Sequence, residues 1–208
     1  MKSSPILNYP NRMWRIILLA MEEILGRKGV NAVLHLEHLP DDIDQTPPSN
    51  QDLKFIFELA GRIQTALECA YGTRAGRGLS IRVGRACVKY GLREFGSELG
   101  ITDLSFRLLP LQTRLKVVSE ALAKLFNQFP DLSVHLELDN KYIYCHIERS
   151  PQCWERQAEG PYYALAVGFL QEALYWVSGG KYFLVEEKKR ITFGESECTI
   201  VIDQTPMS

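Results

Sequence analysis

The sequence predicts an α+β fold in which helices pack on a small antiparallel sheet. Up to about residue 129, apolar residues recur mainly at helical spacing, and from residue 134 onward alternating segments flank one apolar helical segment. The order of helices first, then hairpin, helix and hairpin, is typical of helices covering one face of an antiparallel sheet. No internal repeat is visible, so we expect one domain spanning residues 1–208.

Composition limits the class of protein. Of 208 residues, 46% are apolar and 10% are aromatic, which is ample for a packed core. A formal net charge of −1 argues against a nucleic-acid binder. Five cysteines form no Cys-x-x-Cys pair and no secretory signal is visible, which predicts a reduced, cytoplasmic setting. The longest uninterrupted apolar run, 16–21, is too short for a membrane span.

The first segment, Pro10–Gly26, predicts a helix that is apolar on more than one stripe. Such a helix needs burial on two sides. It either packs deeply within its own domain or, as we favour, meets the same helix of a second subunit in a homodimer. We expect this helix to end at Gly29, Val30–Leu36 to be extended, and the acidic, proline-rich segment 40–50 to form a mobile loop.

Three further helices are predicted in the middle of the chain. Helical spacing covers Asp52–Tyr71, and the glycine–arginine segment Gly72–Gly78 interrupts it. A second helix then runs to about Gly100. Leu111–Phe129 is the clearest amphipathic helix, with proline after its last residue.

A hairpin follows, because Val134–Leu138 and Ile143–Ile147 alternate apolar and polar residues on either side of a short turn. Its polar face is expected to bring His135 opposite His146. The later apolar runs, Tyr182–Val185 and Cys198–Ile202, predict a second hairpin.

Between the hairpins lies a predicted helix, 162–178, that is apolar nearly all round. Pro161 suits its first turn, and Gly179 with Gly180 suits its end. Ala164 and Gly168 share one face of this helix and would let another backbone approach. We expect that backbone to belong to the sheet.

Candidate chemistry is sparse. The segment Gly72–Arg85 lacks the glycine spacing of a dinucleotide site and any Gly-Lys-Ser/Thr. Its glycines either allow close helix packing beside solvated arginines, or an arginine such as Arg85 contacts a carboxylate or phosphate on a ligand. Cys145, Cys153 and Cys198 are interpreted as small buried hydrophobes rather than a zinc site, and the scattered histidines predict no metal site.

Aromatic residues cluster around the apolar helix. Most belong to the core, but so many beside one helix could also line an apolar pocket for a small molecule. The cluster comprises Trp154, Tyr162, Tyr163, Tyr175, Trp176 and Phe183.

Over residues 151–202 a set of glycines, cysteines and other residues falls in a recognisable order: Pro151, Cys153, Gly160-Pro161-Tyr162, Val167–Leu170, Gly180-Lys181, Glu187, Gly194 and Cys198. In these residues the segment resembles the 4-vinyl reductase domain family, whose members are also described as hydrocarbon-binding proteins. A fainter likeness extends upstream to Gly76-Arg77-Gly78-Leu79 and Gly84-Arg85. Arg190 stands where the family often has a cysteine, so a metal-binding cysteine cluster is not inferred.

The resemblance implies a fold shared with TRAPP vesicle-tethering subunits and haem nitric-oxide sensors. It also implies an internal space for a hydrophobic ligand, and common dimerisation. Members occur as sensory domains or as partners in bacteriochlorophyll synthesis. No flavin, nicotinamide or iron–sulfur signature is visible here, so neither a cofactor nor an enzyme with its own redox centre is expected.

We therefore expect a non-enzymatic domain that binds a small hydrophobic ligand between its helices and its sheet, as a sensor or carrier. Residues 1–50 would supply the N-terminal helix and mobile loop, and residues 51–208 the ligand-binding core. One alternative is a tetrapyrrole-handling accessory protein in vinyl-group reduction, and another is a structural dimerisation module of the TRAPP-subunit type. No catalytic residue is predicted; the candidate ligand-binding residues are Arg85, Cys153, Trp154, Tyr162, Phe169 and Trp176.

Overall fold

The computed structural model confirms the predicted α+β architecture. It describes residues 8–36, 47–48, 50, 52–56, 58–128, 133–148, 163–192 and 195–207. The elements in chain order are β1 (Asn8–Pro10), α1 (Asn11–Leu36), β2 (Leu53–Ile56), α2 (Glu58–Tyr71), α3 (Thr73–Phe95), α4 (Leu104–Arg107), α5 (Leu111–Phe126), β3 (Ser133–Leu138), β4 (Tyr142–Glu148), α6 (Ala164–Ser178), β5 (Phe183–Thr192) and β6 (Glu195–Pro206).

Both predicted hairpins are present and form a four-stranded antiparallel sheet in the order β3-β4-β6-β5. The first hairpin pairs Val134 with Ile147, and β6 lies beside β4 with Ile200 opposite Cys145. The apolar set of alternate residues on the two central strands, including Ile143, Cys145, Ile200 and Ile202, packs in one cluster with the helices, and His146, Thr199 and Val201 between them are also buried. The hairpin patterns predicted the strands, whereas the order in which the hairpins join depends on packing.

The N-terminal helix is longer than predicted. It does not end at Gly29: α1 continues to Leu36 across a kink at Gly26, whose φ of 69° and ψ of 162° suit glycine. The predicted extended segment 30–36 is wrong, because Val30, Val33 and Leu34 are buried at the i, i+3, i+4 spacing of a helix face.

The predicted helix 52–71 is also corrected. Leu53–Ile56 pairs antiparallel with β1 as a strand, and the helix begins only at Glu58. Because the strand's partner is the N-terminal segment, local spacing carried no sign of it. The segment 40–50 lies outside the described residues except for 47, 48 and 50.

Glycines do not interrupt the next helix, since α3 begins at Thr73 and runs through Gly76 and Gly78. A Cβ added at Gly76 would lie 2.4 Å from the Leu67 carbonyl oxygen, so this glycine lets α2 and α3 pack backbone to backbone. The close-packing interpretation of this segment therefore holds at Gly76.

The core consists of two apolar clusters on either side of the α3–α6 contact. One cluster lies between α5, α6 and the sheet, and the other between α1, α2 and α3. At their boundary, a Cβ on Gly84 would lie 2.0 Å from the Leu165 oxygen, and one on Gly168 2.1 Å from the Ile81 oxygen. The close approach expected at Gly168 is present, but its partner is α3 and not the sheet.

Candidate functional site

Three of the six candidate ligand-binding residues lie together where α3 meets α6. Phe169 lines an apolar cavity, Arg85 lines a neighbouring surface cleft, and Trp176 lines both. Cys153, Trp154 and Tyr162 lie outside the described residues.

The apolar cavity lies between α3, α5 and α6 and has a volume of about 30 Å³. A buried water needs at least ~10–15 Å³ of such space, and an engineered cavity that holds benzene has about 150 Å³. The cavity therefore has room for about two waters and not for a ligand of ordinary size. Its lining residues are Val88, Gly91, Leu92, Phe95, Gly96, Leu99, Ile101, Val118, Leu122, Leu125, Phe169, Ala173, Trp176 and Val177.

This location differs from the sequence-based expectation. The ligand space was expected between the helices and the sheet, yet no strand residue is among those that line this cavity. The inner faces of β4 and β6 are instead filled by Ile143, Cys145, Ile200 and Ile202, which belong to the apolar cluster with α5 and α6.

The surface cleft is larger, at about 410 Å³, and lies between α1, α3 and α6. That volume falls within the ~300–1,000 Å³ of small-molecule sites. Val88, Leu92 and Trp176 line both the cleft and the cavity, so a single layer of side chains separates the two spaces. The remaining lining residues of the cleft are Glu23, Ile24, Arg82, Arg85, Ala86, Lys89 and Glu172.

Two of the charged groups in the cleft neutralise each other. Lys89 Nζ lies 3.1 Å from Glu23 Oε2, and the Tyr90 hydroxyl donates to the same oxygen at 2.8 Å. The hydrogen bonds from Tyr90 and then Lys89 lower the pKa of Glu23. Burial, followed by the bond to Glu23, raises the pKa of Tyr90. This trio ties α1 to α3 along one wall of the cleft.

Arg85 crosses from α3 to α6. Its Nε and Nη2 both donate to Gln171 Oε1, at 3.2 and 2.7 Å, while its side chain stays exposed. Two donors on one neutral amide oxygen leave the guanidinium charge without a carboxylate partner.

Arg82 and Glu172 complete the charges of the cleft. Neither side chain has an ion pair or hydrogen bond with another residue in the part of the chain that the structure describes. Arg82, Arg85 and Lys89 follow one another at i, i+3 and i+7 on one face of α3. With three cationic and two carboxylate side chains, the cleft has a formal excess of one positive charge.

Sequence reasoning missed the contribution of α1, namely Glu23 and Ile24, because helical spacing does not reveal which helix packs against α3. It also passed over Lys89 and Leu92. Lys89 and Leu92 follow Arg85 by four and seven residues, and this helical spacing could have indicated that they share its face of α3.

The histidine pair on the outer face of the sheet is as predicted. His135 lies opposite His146, with ring centroids 5.0 Å apart and planes 21° apart. His146 Nε2 lies 3.5 Å from Glu137 Oε2, and His135 Nδ1 lies 3.8 Å from Glu148 Oε1. Because the two glutamates lie at opposite ends of the pair along the strands, these ligands do not converge. Among the described residues, no group of three or more His, Cys, Asp or Glu could hold a metal ion.

The cysteines of the sheet are buried. Burial raises the pKa of Cys145 to about 12, and Cys198 on the neighbouring strand is also buried. Both behave as small core residues, while Cys153 lies outside the described part. No helix among the described residues is both long and apolar enough to cross a membrane.

Sequence comparisons leave the family open. No protein-family model matches the chain, and no curated protein matches it by sequence. The resemblance to the 4-vinyl reductase family is therefore not confirmed.

Solved structures of H-NOX domains share the fold over nearly the whole chain. A Cs H-NOX mutant carrying 4-cyano-L-phenylalanine is 14% identical over 95% of this chain and 97% of that one, with a TM-score of 0.62. A mutant of the T. Tengcongensis H-NOX is 15% identical over 94% and 98%, with a TM-score of 0.59. An oxygen-binding H-NOX domain related to soluble guanylate cyclases is 16% identical over 92% and 93%, with a TM-score of 0.56. The expected relation to haem nitric-oxide sensors is thus confirmed for the fold.

One of the matching structures concerns haem distortion in the H-NOX family. The question is therefore whether the cavity or the cleft of this chain has the volume and the iron ligands for a haem. Protein ligands of haem iron are His, Cys, Met or Tyr side chains. None of these residue types lines the cavity beside α6, and its volume of about 30 Å³ admits no porphyrin. The cleft also lacks all four types. Within the described residues, therefore, neither space fits a haem.

Proposed function

We propose that this domain is a non-enzymatic binding domain for a small, largely apolar molecule, with a sensory or carrier role. The molecule binds in the cleft between α1, α3 and α6. The observation that carries the proposal is the wall formed by Val88, Leu92 and Trp176, which belongs to both the cleft and the apolar cavity. A molecule bound there can extend its contacts inward when one of these side chains moves.

Burial of apolar surface supplies the affinity. The floor of the cleft is formed by Ile24, Ala86, Val88, Leu92 and Trp176. Covering ~150 Å² of ligand surface at ~25 cal/mol per Å² gives about 4 kcal/mol. This apolar term alone corresponds to a millimolar complex, and the translational and rotational freedom lost on binding offsets part of it, so the ligand screen must reach millimolar concentrations.

The test is a titration of the full chain with octanol and octanoate, followed by calorimetry and by hydrogen exchange. We expect saturable binding and slower exchange in segments 82–92 and 172–176. Ala86→Phe fills the floor of the cleft and should weaken binding at least tenfold. Ala75→Phe, at an exposed position near the start of the same helix, should leave binding unchanged.

Absence of binding by both compounds up to several millimolar would refute the proposal. Binding that protects other segments and ignores Ala86→Phe would refute it as well. The hydrogen-exchange map uses the unaltered protein, so the conclusion does not depend on whether Ala86→Phe folds.

The small cavity favours a second candidate, a structural dimerisation module. The α1 side chains of Trp14, Ile16, Leu18 and Met21 are already buried within one chain. A homodimer through α1 would therefore use the half-buried residues that remain, such as Ile17 and Leu25. Sedimentation analysis across a concentration series tests this, and a monomer at all concentrations would exclude it.

A further inference from the structure

We infer that the cleft selects a monocarboxylate with a slim apolar tail. The carboxylate binds Arg82 and Arg85, and the tail passes between Leu92 and Trp176 toward the apolar cavity. This inference rests on the proposed function and names the chemical class of its ligand.

Arg85 already presents two parallel donors. Its Nε and Nη2 point at one oxygen, that of the Gln171 amide, at 3.2 and 2.7 Å. A carboxylate offers two oxygens and a full negative charge to the same fork, and such bidentate pairs are among the strongest side-chain hydrogen bonds. Because Gln171 is neutral, a carboxylate that replaces it breaks no ion pair.

Arg82 adds a second cation one turn earlier on α3. Lys89 is engaged with Glu23 at 3.1 Å, whereas Arg82 pairs with no other described residue. The charges left for a ligand are therefore the two arginines and the carboxylate of Glu172. One surplus positive charge favours a monoanion, and Glu172 repels an anion of higher charge such as a phosphate monoester.

The position inferred for the tail follows from the side chains that line both the cleft and the cavity. Leu92 and Trp176 face the cleft on one side and the cavity on the other, and Trp176 is only half-buried. A tail that covers these side chains gains about fourfold in affinity for each buried methylene. Affinity should stop increasing when the tail reaches Phe169 and Ala173, because the cavity behind Leu92 and Trp176 has a volume of only about 30 Å³.

The head group is tested by calorimetry on the full chain with octanoate, octanol and octyl phosphate. We expect octanoate to bind at least tenfold more tightly than octanol and more tightly than octyl phosphate. Arg82→Gln combined with Arg85→Gln should remove the preference over octanol. Glu172→Gln should tighten octanoate several-fold and leave octanol unchanged. Arg107→Gln, an exposed arginine on α4, serves as the matched control and should have no effect.

Three results would overturn the inference while the proposed function stands: equal binding of octanoate and octanol, a preference for octyl phosphate, or weaker octanoate binding in Glu172→Gln. The last result would mean that Glu172 attracts a positively charged part of the ligand. If neither octanoate nor octanol binds, the proposed function fails together with the inference.

The tail is tested with the series from butanoate to decanoate. Affinity should rise at each step and then level off. Ala173→Leu fills the cavity, so the affinity should stop rising at a shorter carboxylate, while the affinity for butanoate should stay the same. Gly91→Ala is a milder second variant, since its Cβ would lie 3.8 Å from the Phe169 ring in the cavity wall. An unchanged dependence on chain length in both variants would show that the tail does not enter the cavity.

Discussion

At the residue scale, two glycines fix the distance between α3 and α6. Gly84 and Gly168 each face the backbone of the opposite helix, and neither site has room for a Cβ atom. The backbones therefore meet directly, which positions Arg85 and Trp176 on the two walls of one cleft. Glycine is needed here for close approach, since both residues lie within regular helices.

We expect Gly84→Ala to lower the free energy of unfolding by about 2–3 kcal/mol or more, because the new methyl group would overlap the Leu165 carbonyl. Gly78→Ala is the matched control in the same helix. Its Cβ meets nothing within 4 Å, so it should stabilise the protein by up to ~1 kcal/mol. Urea denaturation of both variants measures the difference, and equal effects would contradict the close packing.

Two buried thiols should make the free energy of unfolding decrease at alkaline pH. Burial raises the pKa of Cys87 and of Cys145 to about 12, from an ordinary value of 9.0. Above pH 9 the unfolded chain loses these protons first, so the free energy of unfolding falls as pH rises. At pH 10 the loss is about 1.4 kcal/mol for each thiol.

The variant Cys87→Ala/Cys145→Ala should therefore lose less stability between pH 8 and pH 10 than the unaltered protein does. Denaturation curves at each pH give the two slopes, and the comparison cancels the tyrosines and lysines that titrate in the same range. Identical slopes would mean that the thiols ionise equally in the folded and unfolded chains.

At the element scale, α6 is held at its C-terminal end by two contacts. Gly179 adopts the left-handed conformation, with φ 77°, that closes the helix. Arg114 at the start of α5 donates from Nη1 to the Val177 carbonyl oxygen at 2.7 Å. The guanidinium both satisfies a terminal carbonyl and lies at the negative end of the helix dipole. The glycine could be read from the sequence, whereas the arginine comes from another helix and could not.

Replacement of Arg114 by methionine should cost about 1–2 kcal/mol of unfolding free energy, because it removes a charged hydrogen bond to the helix end. Hydrogen exchange should accelerate in the last turn of α6. Arg107→Met, an exposed arginine on α4, should change stability by less than ~0.5 kcal/mol. A loss no larger than that of this control would show that the contact is not stabilising.

At the scale of the whole molecule, the chain has an H-NOX-like fold, while the cavity and the cleft among its described residues are lined by no His, Cys, Met or Tyr side chain that could ligate a haem iron. Helices α3 and α6 line the small apolar cavity together with α5, and they also line the charged surface cleft together with α1.

Titration of the protein with haemin should produce no saturable shift of the Soret band, because the spaces beside α3 and α6 present no axial ligand. Absorbance spectroscopy with a haem-binding H-NOX domain as positive control measures this. A stoichiometric complex with a sharp Soret band would contradict the conclusion and would favour a tetrapyrrole-handling role.

Residue patterns along the chain were sufficient to predict the fold class, the two hairpins, the facing histidines and the helices that lie closest to the site. Periodicity reports that one face of a segment is buried, and this information is local. It does not report what covers that face. Three contacts depend on packing between distant segments: Leu53–Ile56 pairs with the N-terminal strand, β6 lies beside β4, and α3 rather than the sheet meets Gly168. The cleft likewise required α1, α3 and α6 to be placed together, because its charges and its apolar floor come from segments up to about 150 residues apart in the chain.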